Sequence, residues 1–220
     1  MNHVLLLGFA LALGLRHAAD PDHVIAVTAI AARTRRVLPA LWLGVVWGIG
    51  HTMSLLCVGT GIILFNLQVS RHVSLSLEFA VGVALIAVGL LNLKPADPAR
   101  ARSEDARDSE RIPIRRALFV GLLHGLAGSA GIALLLLATI REPLLACWYL
   151  VVFSLGTLLA MALVTTSIAA PLARATRRWS DLPQGGRLVT GAVSVLFGTW
   201  VLYQIGWRDG LLTAWHHLAR

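Results

Sequence analysis

Two histidines and two aspartates fall within one short stretch, His17-Ala18-Ala19-Asp20-Pro21-Asp22-His23, with Arg16 immediately before it. Apolar runs flank it on both sides, Val4 to Leu15 and Val24 to Ala32. Charged side chains at membrane depth cost about 2.5 to 3.5 kcal/mol each on insertion scales, so a cluster kept there marks a working site. Imidazole suits Ni, Co, Zn and Cu, and a carboxylate adds the charge that offsets a divalent ion. On an unbroken helix His17 neighbours Asp20 and Asp20 neighbours His23, each three residues on. Asp22 would point away, since two steps turn the helix by about 200°. Pro21 has no N–H for the His17 carbonyl and disfavours a helical Asp20. The break is therefore expected to turn Asp22 inward and to leave the His17 carbonyl bare. The competing reading is a self-satisfied polar network that only bends the helix, although Pro21 alone suffices for a bend.

Three further positions offer ligand chemistry. His51 lies mid-span in Gly48-Ile49-Gly50-His51-Thr52, either as an interhelical contact between close-packed helices or as a ligand for the same ion. His124 opens His124-Gly125-Leu126-Ala127-Gly128-Ser129-Ala130-Gly131, a glycine-rich segment without carboxylates. His124 and Ser129 there form either a packing surface or a second-half site. At the start, the free amine of Met1, the backbone amides of Asn2 and His3 and the His3 imidazole can form a square-planar nitrogen site suited to Ni(II) or Cu(II). Any chain can carry His at position 3. The tail pair His216-His217 is a weaker feature, and Cys57 reads as a small buried residue.

The composition says where these groups sit. The chain has 220 residues, 57% hydrophobic and 14% charged, with a mean hydropathy of +0.75. Soluble domains carry about 25% charged residues. The apolar runs are long enough to span a bilayer. Six spans are expected: His3 to Ala32, interrupted at Asp20-Pro21-Asp22, then Val37 to Leu67, Leu77 to Leu93, Ala117 to Ile140, Leu144 to Ala170 and Leu188 to Trp207. Gln68 to Ser76 reads as a polar turn, and Pro171 to Arg187 as a polar connection with Gly185-Gly186 as its turn. Met-Asn-His has no Lys or Arg, so the first segment reads as retained rather than as a signal peptide. Fourteen of the 19 Lys and Arg residues fall in the loops after spans one, three and five, and four on the opposite side. The positive-inside rule then puts those loops in the cytoplasm, the long Lys94 to Arg116 loop among them, and both termini outside. The net charge of +8 is thus a matter of orientation and not of nucleic-acid binding. Cys57 and Cys147 form no Cys-x-x-Cys pair, which argues against a thiol-redox carrier.

The two halves of the chain are alike. Gly14-Leu15-Arg16-His17 aligns with Gly121-Leu122-Leu123-His124, and Val45 to Gly50 with Val151 to Gly156, at offsets of 107 and 106. Gly82 and Gly89 match Gly191 and Gly198, at an offset of 109. Three spans per unit require the copies to be inverted, and inverted repeats with broken helices at their interface are a transporter signature. The expected fold is one all-α integral membrane domain over 1–220. It has six transmembrane helices in two inverted three-helix repeats, about 1–93 and 117–207, joined by the loop 94–116.

At this level the chain resembles the nickel/cobalt transporter family. His17-x4-Asp22-His23 after Arg16 looks like that family's His-x4-Asp-His signature, and Gly50-His51-Thr52 is similar to its Gly-His-Ser/Thr motif. The length, the wording Arg-His-Ala-x-Asp-Pro-Asp-His and the His124-Gly-Leu-Ala-Gly-Ser segment look most like its shorter branch, the UreH-type urease accessory membrane proteins. The resemblance implies transition-metal transport, with His17, Asp22 and His23 as metal-handling residues and His51 as a second-motif residue. Longer members have eight spans, and their later Asp-Thr-Ala-Thr-Glu-like string has no match here.

The expected function is a bacterial inner-membrane permease moving Ni(II), with Co(II) as a further substrate, in support of nickel enzymes such as urease. The ion is coordinated by His17, Asp22 and His23 with help from Asp20 and His51. The expected partners are the divalent ion, the lipid bilayer and nickel-enzyme maturation proteins on the cytoplasmic side, with no organic cofactor. A metal exporter, an anion transporter using Arg16, and a non-transporting accessory protein are the rival readings. No Gly-x-Ser-x-Gly or His-Glu-x-x-His string points to an enzyme.

Overall fold

With no water at membrane depth, backbone N–H and C=O groups must bond within their own segment, and the chain answers with helices. A computed structural model describes residues 2–32, 37–65, 70–94, 114–127, 139–140, 142–176 and 182–212. Its helices are α1 (His3–His17), α2 (Pro21–Ala31), α3 (Val37–Phe65), α4 (Arg71–Leu93), α5 (Ile114–Leu126), α6 (Pro143–Thr176) and α7 (Leu182–Tyr203). A π turn over Gln204–Arg208 ends α7. The described residues contain no strand. Four helices are long and apolar enough to cross a membrane, and α1 with α2, bent by 51° at the break, makes a fifth. The protein is an integral membrane protein. Of the expected fourth span, α5 covers the first part, and 128–138 lies outside the described residues, as do the basic loop segments 33–36, 95–113 and 177–181.

Several boundaries differ from the sequence expectation. Helix α4 begins at Arg71, inside the expected polar turn, because the Ser70 side chain caps it by accepting the Val73 N–H at 3.3 Å. Helix α6 runs through Pro171 to Thr176. The Leu-Ala-Arg-Ala that follows is strongly helix-forming and outweighs the one bond a proline withholds. Gly185-Gly186 is not a turn but lies in the first turns of α7, where the helix tolerates about 1 kcal/mol per glycine. Cys57, expected to be buried, is exposed.

The helices pack in pairs across the two halves: α1 on α6, α5 on α3, α3 on α6 and α4 on α7. Glycines set the closest approaches. A Cβ on Gly14 would meet the Phe153 carbonyl, and one on Gly121 the Trp47 carbonyl. Likewise Gly156 abuts the Leu11 carbonyl and Gly50 the Leu118 carbonyl. In the α4–α7 pair, Gly82 faces Gly198 and Gly89 faces Gly191. Small residues allow such backbone approach where lipid supplies no hydrophobic drive between helices.

Short α2 is held by a polar anchor. The Ala29 carbonyl lies in its last turn, where carbonyls lack intrahelical partners. It accepts the side-chain N–H of buried Asn92, on α4, at 2.5 Å. Asn92→Ala removes this donor, and an unsatisfied buried carbonyl costs about 1–3 kcal/mol. The expected result is a lower melting temperature in detergent, measured by the loss of the monodisperse peak after heating.

Candidate metal centre

The site is built where α1 stops and α2 starts. Helix α1 closes in a tightened turn: the Ala19 N–H bonds the Arg16 carbonyl at 2.9 Å and the Asp20 N–H bonds the His17 carbonyl at 3.1 Å. The His17 carbonyl is therefore not bare, contrary to the sequence expectation, because the three-residue turn replaces the bond that Pro21 cannot make. Pro21 is the first residue of α2, where its missing N–H costs nothing. The Asp20 carbonyl accepts the Val24 N–H at 3.1 Å and starts α2. The break thus lies at Ala18–Asp20, and it turns both Asp22 and His23 toward His17.

Four imidazoles converge there. His17, His23, His51 and His124, from α1, α2, α3 and α5, are all buried. Ring centroids are 4.7 Å apart for His17–His23, 5.1 Å for His23–His51, 5.2 Å for His17–His51 and 5.2 Å for His23–His124. The carboxylates orient two of the rings. Asp20 Oδ2 lies 3.0 Å from His17 Nδ1, and Asp22 Oδ1 lies 3.2 Å from His23 Nδ1. Each takes the Nδ1–H and leaves Nε2 as the ring's lone-pair donor, the arrangement that metal-binding histidines use. The Nε2 atom of His17 then stands 3.3 Å from Nε2 of His51. Two nitrogens held about 2.0–2.1 Å from one tetrahedral ion would be about 3.3–3.4 Å apart. Among the described residues, His23 Nε2 and His51 Nδ1 are buried without a hydrogen-bond partner. Ligand atoms of His17, His23 and His51 all lie within 4.8 Å of one another, as do those of Asp20, Asp22 and His23. His124 Nε2 faces Asp22 Oδ2 at 3.8 Å.

Aromatic side chains wall the imidazoles. Trp47 packs 5.4 Å from the rings of both His23 and His124, and Phe153 5.6 Å from His17. Sequence reasoning did not name these two walls. The signal was the internal repeat, which aligns Trp47 with Phe153 as it aligns His124 with His17. Ser54 was also missed. Its hydroxyl donates to the carbonyls of Gly50 and His51 at 3.1 and 3.0 Å, and Gly125 of α5 packs against it.

Other expected residues are elsewhere. His3 is the exposed first residue of α1, about 21 Å of helix rise from His17. Asn2 caps that helix, its side chain accepting the Val4 N–H at 3.1 Å. Arg16 is exposed. Met1 and Ser129 lie outside the described residues.

No protein-family model matches the chain, and no solved structure does. Two relatives are informative. The Arabidopsis thaliana chloroplast protein FOR GROWTH AND FERTILITY 2 is 26% identical over 170 residues, 71% of this chain but 44% of that protein. The urease accessory protein UreH of Bacillus sp. (strain TB-90) is 37% identical over 221 residues, 96% of each chain. At that identity and over nearly the full length of both proteins, the chain belongs to the UreH family of urease accessory proteins.

Proposed function

We propose that the protein is a permease for Ni(II), with Co(II) as a second substrate, supplying a nickel enzyme such as urease. The observation that carries the reading is the buried cluster of imidazoles, with Nε2 of His17 and His51 at metal-ligand separation and the rings of His17 and His23 oriented by Asp20 and Asp22. An all-imidazole set with adjacent carboxylates suits Ni(II) and Co(II), whereas oxygen-only sites suit Mg(II) and Ca(II). His17, His23 and His51 hold the ion. Asp20 and Asp22 set the rings and offset the charge. His124 brings the second half of the chain to the same point.

The proposed frame is two inverted three-helix repeats that rock about this centre. The packing supports it: α1 on α6 is matched by α5 on α3, and the Gly14–Phe153 approach by Gly121–Trp47. The proposed setting is a bacterial inner membrane with both termini outside and the 94–116 loop in the cytoplasm, where it meets nickel-enzyme maturation proteins.

Purified protein reconstituted into liposomes with a trapped metal-sensing dye tests the reading. The expected result is Ni(II) uptake well above that of empty liposomes, with weaker Co(II) uptake and none for Mg(II). Metal binding without uptake would instead favour a non-transporting accessory role, the reading suggested by the relative's name, urease accessory protein. Acid should inhibit, because protons compete for imidazole lone pairs. Ni(II) binding should weaken once the pH falls low enough to protonate the ligating imidazoles, by about tenfold per pH unit for each proton displaced below that point. Titrations over a descending series of pH values check this.

A further inference from the structure

His23 belongs to two ligand groups at once, the imidazole set His17/His23/His51 and the carboxylate set Asp20/Asp22/His23. The two groups differ in depth. Asp20 and Asp22 side chains are 32% and 21% exposed, while those of His17 and His23 are 5% and 0% exposed. His23 Nδ1 faces Asp22, and its Nε2 is buried without a hydrogen-bond partner.

We infer that the protein has two metal stations sharing His23, a half-exposed loading station of Asp20, Asp22 and His23 and a buried holding station of His17, His23 and His51, occupied in turn by one divalent cation. This rests on the metal reading above and adds an order of events to it. A neutral imidazole offers one lone pair at a time, and its single N–H takes the other nitrogen. His23 can therefore serve one station or the other, never both. A hydrated divalent ion first meets oxygen ligands, which exchange water readily and supply charge. It then moves to nitrogen ligands, which Ni(II) and Co(II) prefer over Mg(II) and Ca(II). The carboxylates do two jobs in turn. With the ion outside they are its ligands; with the ion inside they accept the Nδ1–H of His17 and His23.

The test uses the purified full chain in detergent with Ni(II) as probe. It reads stoichiometry by titration, ligand type by X-ray absorption and loading rate by stopped flow. Wild type is expected to bind one ion per chain in a three-imidazole environment. D20N is expected to load at least tenfold more slowly while the bound ion keeps three imidazoles. H51A is expected to retain one ion, more weakly held, with one imidazole and added oxygen ligands. H51Q, which keeps most of the volume, carries the same measurement if H51A does not remain monodisperse. Two ions per wild-type chain, the same change of ligands in D20N and H51A, or an H51A that binds no ion would overturn the two-station scheme and leave the metal reading standing. A wild-type protein that binds no Ni(II) would overturn both.

Discussion

Replacing His23 with Ala is expected to abolish Ni(II) accumulation while the protein remains in the membrane at its normal level. Among the described residues, no other single side chain is placed to matter as much. His23 is fully buried, touches the rings of His17, His51, His124 and Trp47, and is common to both ligand groups. His17→Ala removes one ligand from the buried set and frees Asp20, yet leaves the carboxylate group intact. Loss of a group that only orients a ligand typically costs 10–100-fold in metal affinity, and loss of a shared ligand should exceed about 100-fold. Asp22→Asn keeps the shape but weakens the hold on the His23 Nδ1–H, so it should fall between wild type and His23→Ala. Uptake of radioactive nickel by whole cells, normalised to membrane protein by immunoblot, gives the ranking. Unchanged uptake in His23→Ala at equal protein level would contradict it.

The second large effect is on assembly. Gly14→Val and Gly121→Val are each expected to remove most of the folded protein. At both positions a Cβ would collide with a backbone carbonyl, that of Phe153 or of Trp47, and at Gly121 with the Trp47 ring as well. Overpacking a core costs about 1–3 kcal/mol when side chains can yield, and more when the obstacle is backbone. Each glycine also sits near a wall residue of the metal cluster, so any relief of the clash parts His17 from Phe153 or His124 from Trp47. Gly8→Val is the control: nothing lies within 4 Å of a Cβ there, and it should behave as wild type. Fluorescence-detected size exclusion before and after heating separates the three variants.

Much of this was legible in the residues. The cost of charge in an apolar run identified Arg16 to His23, and Pro21 announced a break there. Placing the break was harder. Proline's missing bond argues for a bare His17 carbonyl, but the chain ends α1 with a tighter turn that fills it. The break at Pro21 also suggests direct ligation by Asp22, and only the three-dimensional arrangement reveals that Asp20 and Asp22 each hold a ring by Nδ1. The convergence of His51 and His124 on His23 was legible only as a choice between packing and ligation, because contacts between distant helices leave no periodic trace. What did leave a trace was the repeat. The repeat that aligns His17 with His124 at an offset of 107 also aligns Trp47 with Phe153 at an offset of 106, and the packing follows it closely. Helix ends were read least well, since the Ser70 cap and the helical Pro171 region depend on local bonds and propensity and not on hydropathy.

The claim on which the rest depends is that the converging imidazoles hold a metal ion, and equilibrium titration of the purified protein with Ni(II) tests it most directly. The account predicts saturable binding of one ion per chain, with X-ray absorption detecting nitrogen ligands of the imidazole type. Absence of stoichiometric binding at neutral pH, or binding that survives unchanged when His17, His23 and His51 are replaced together, would contradict it.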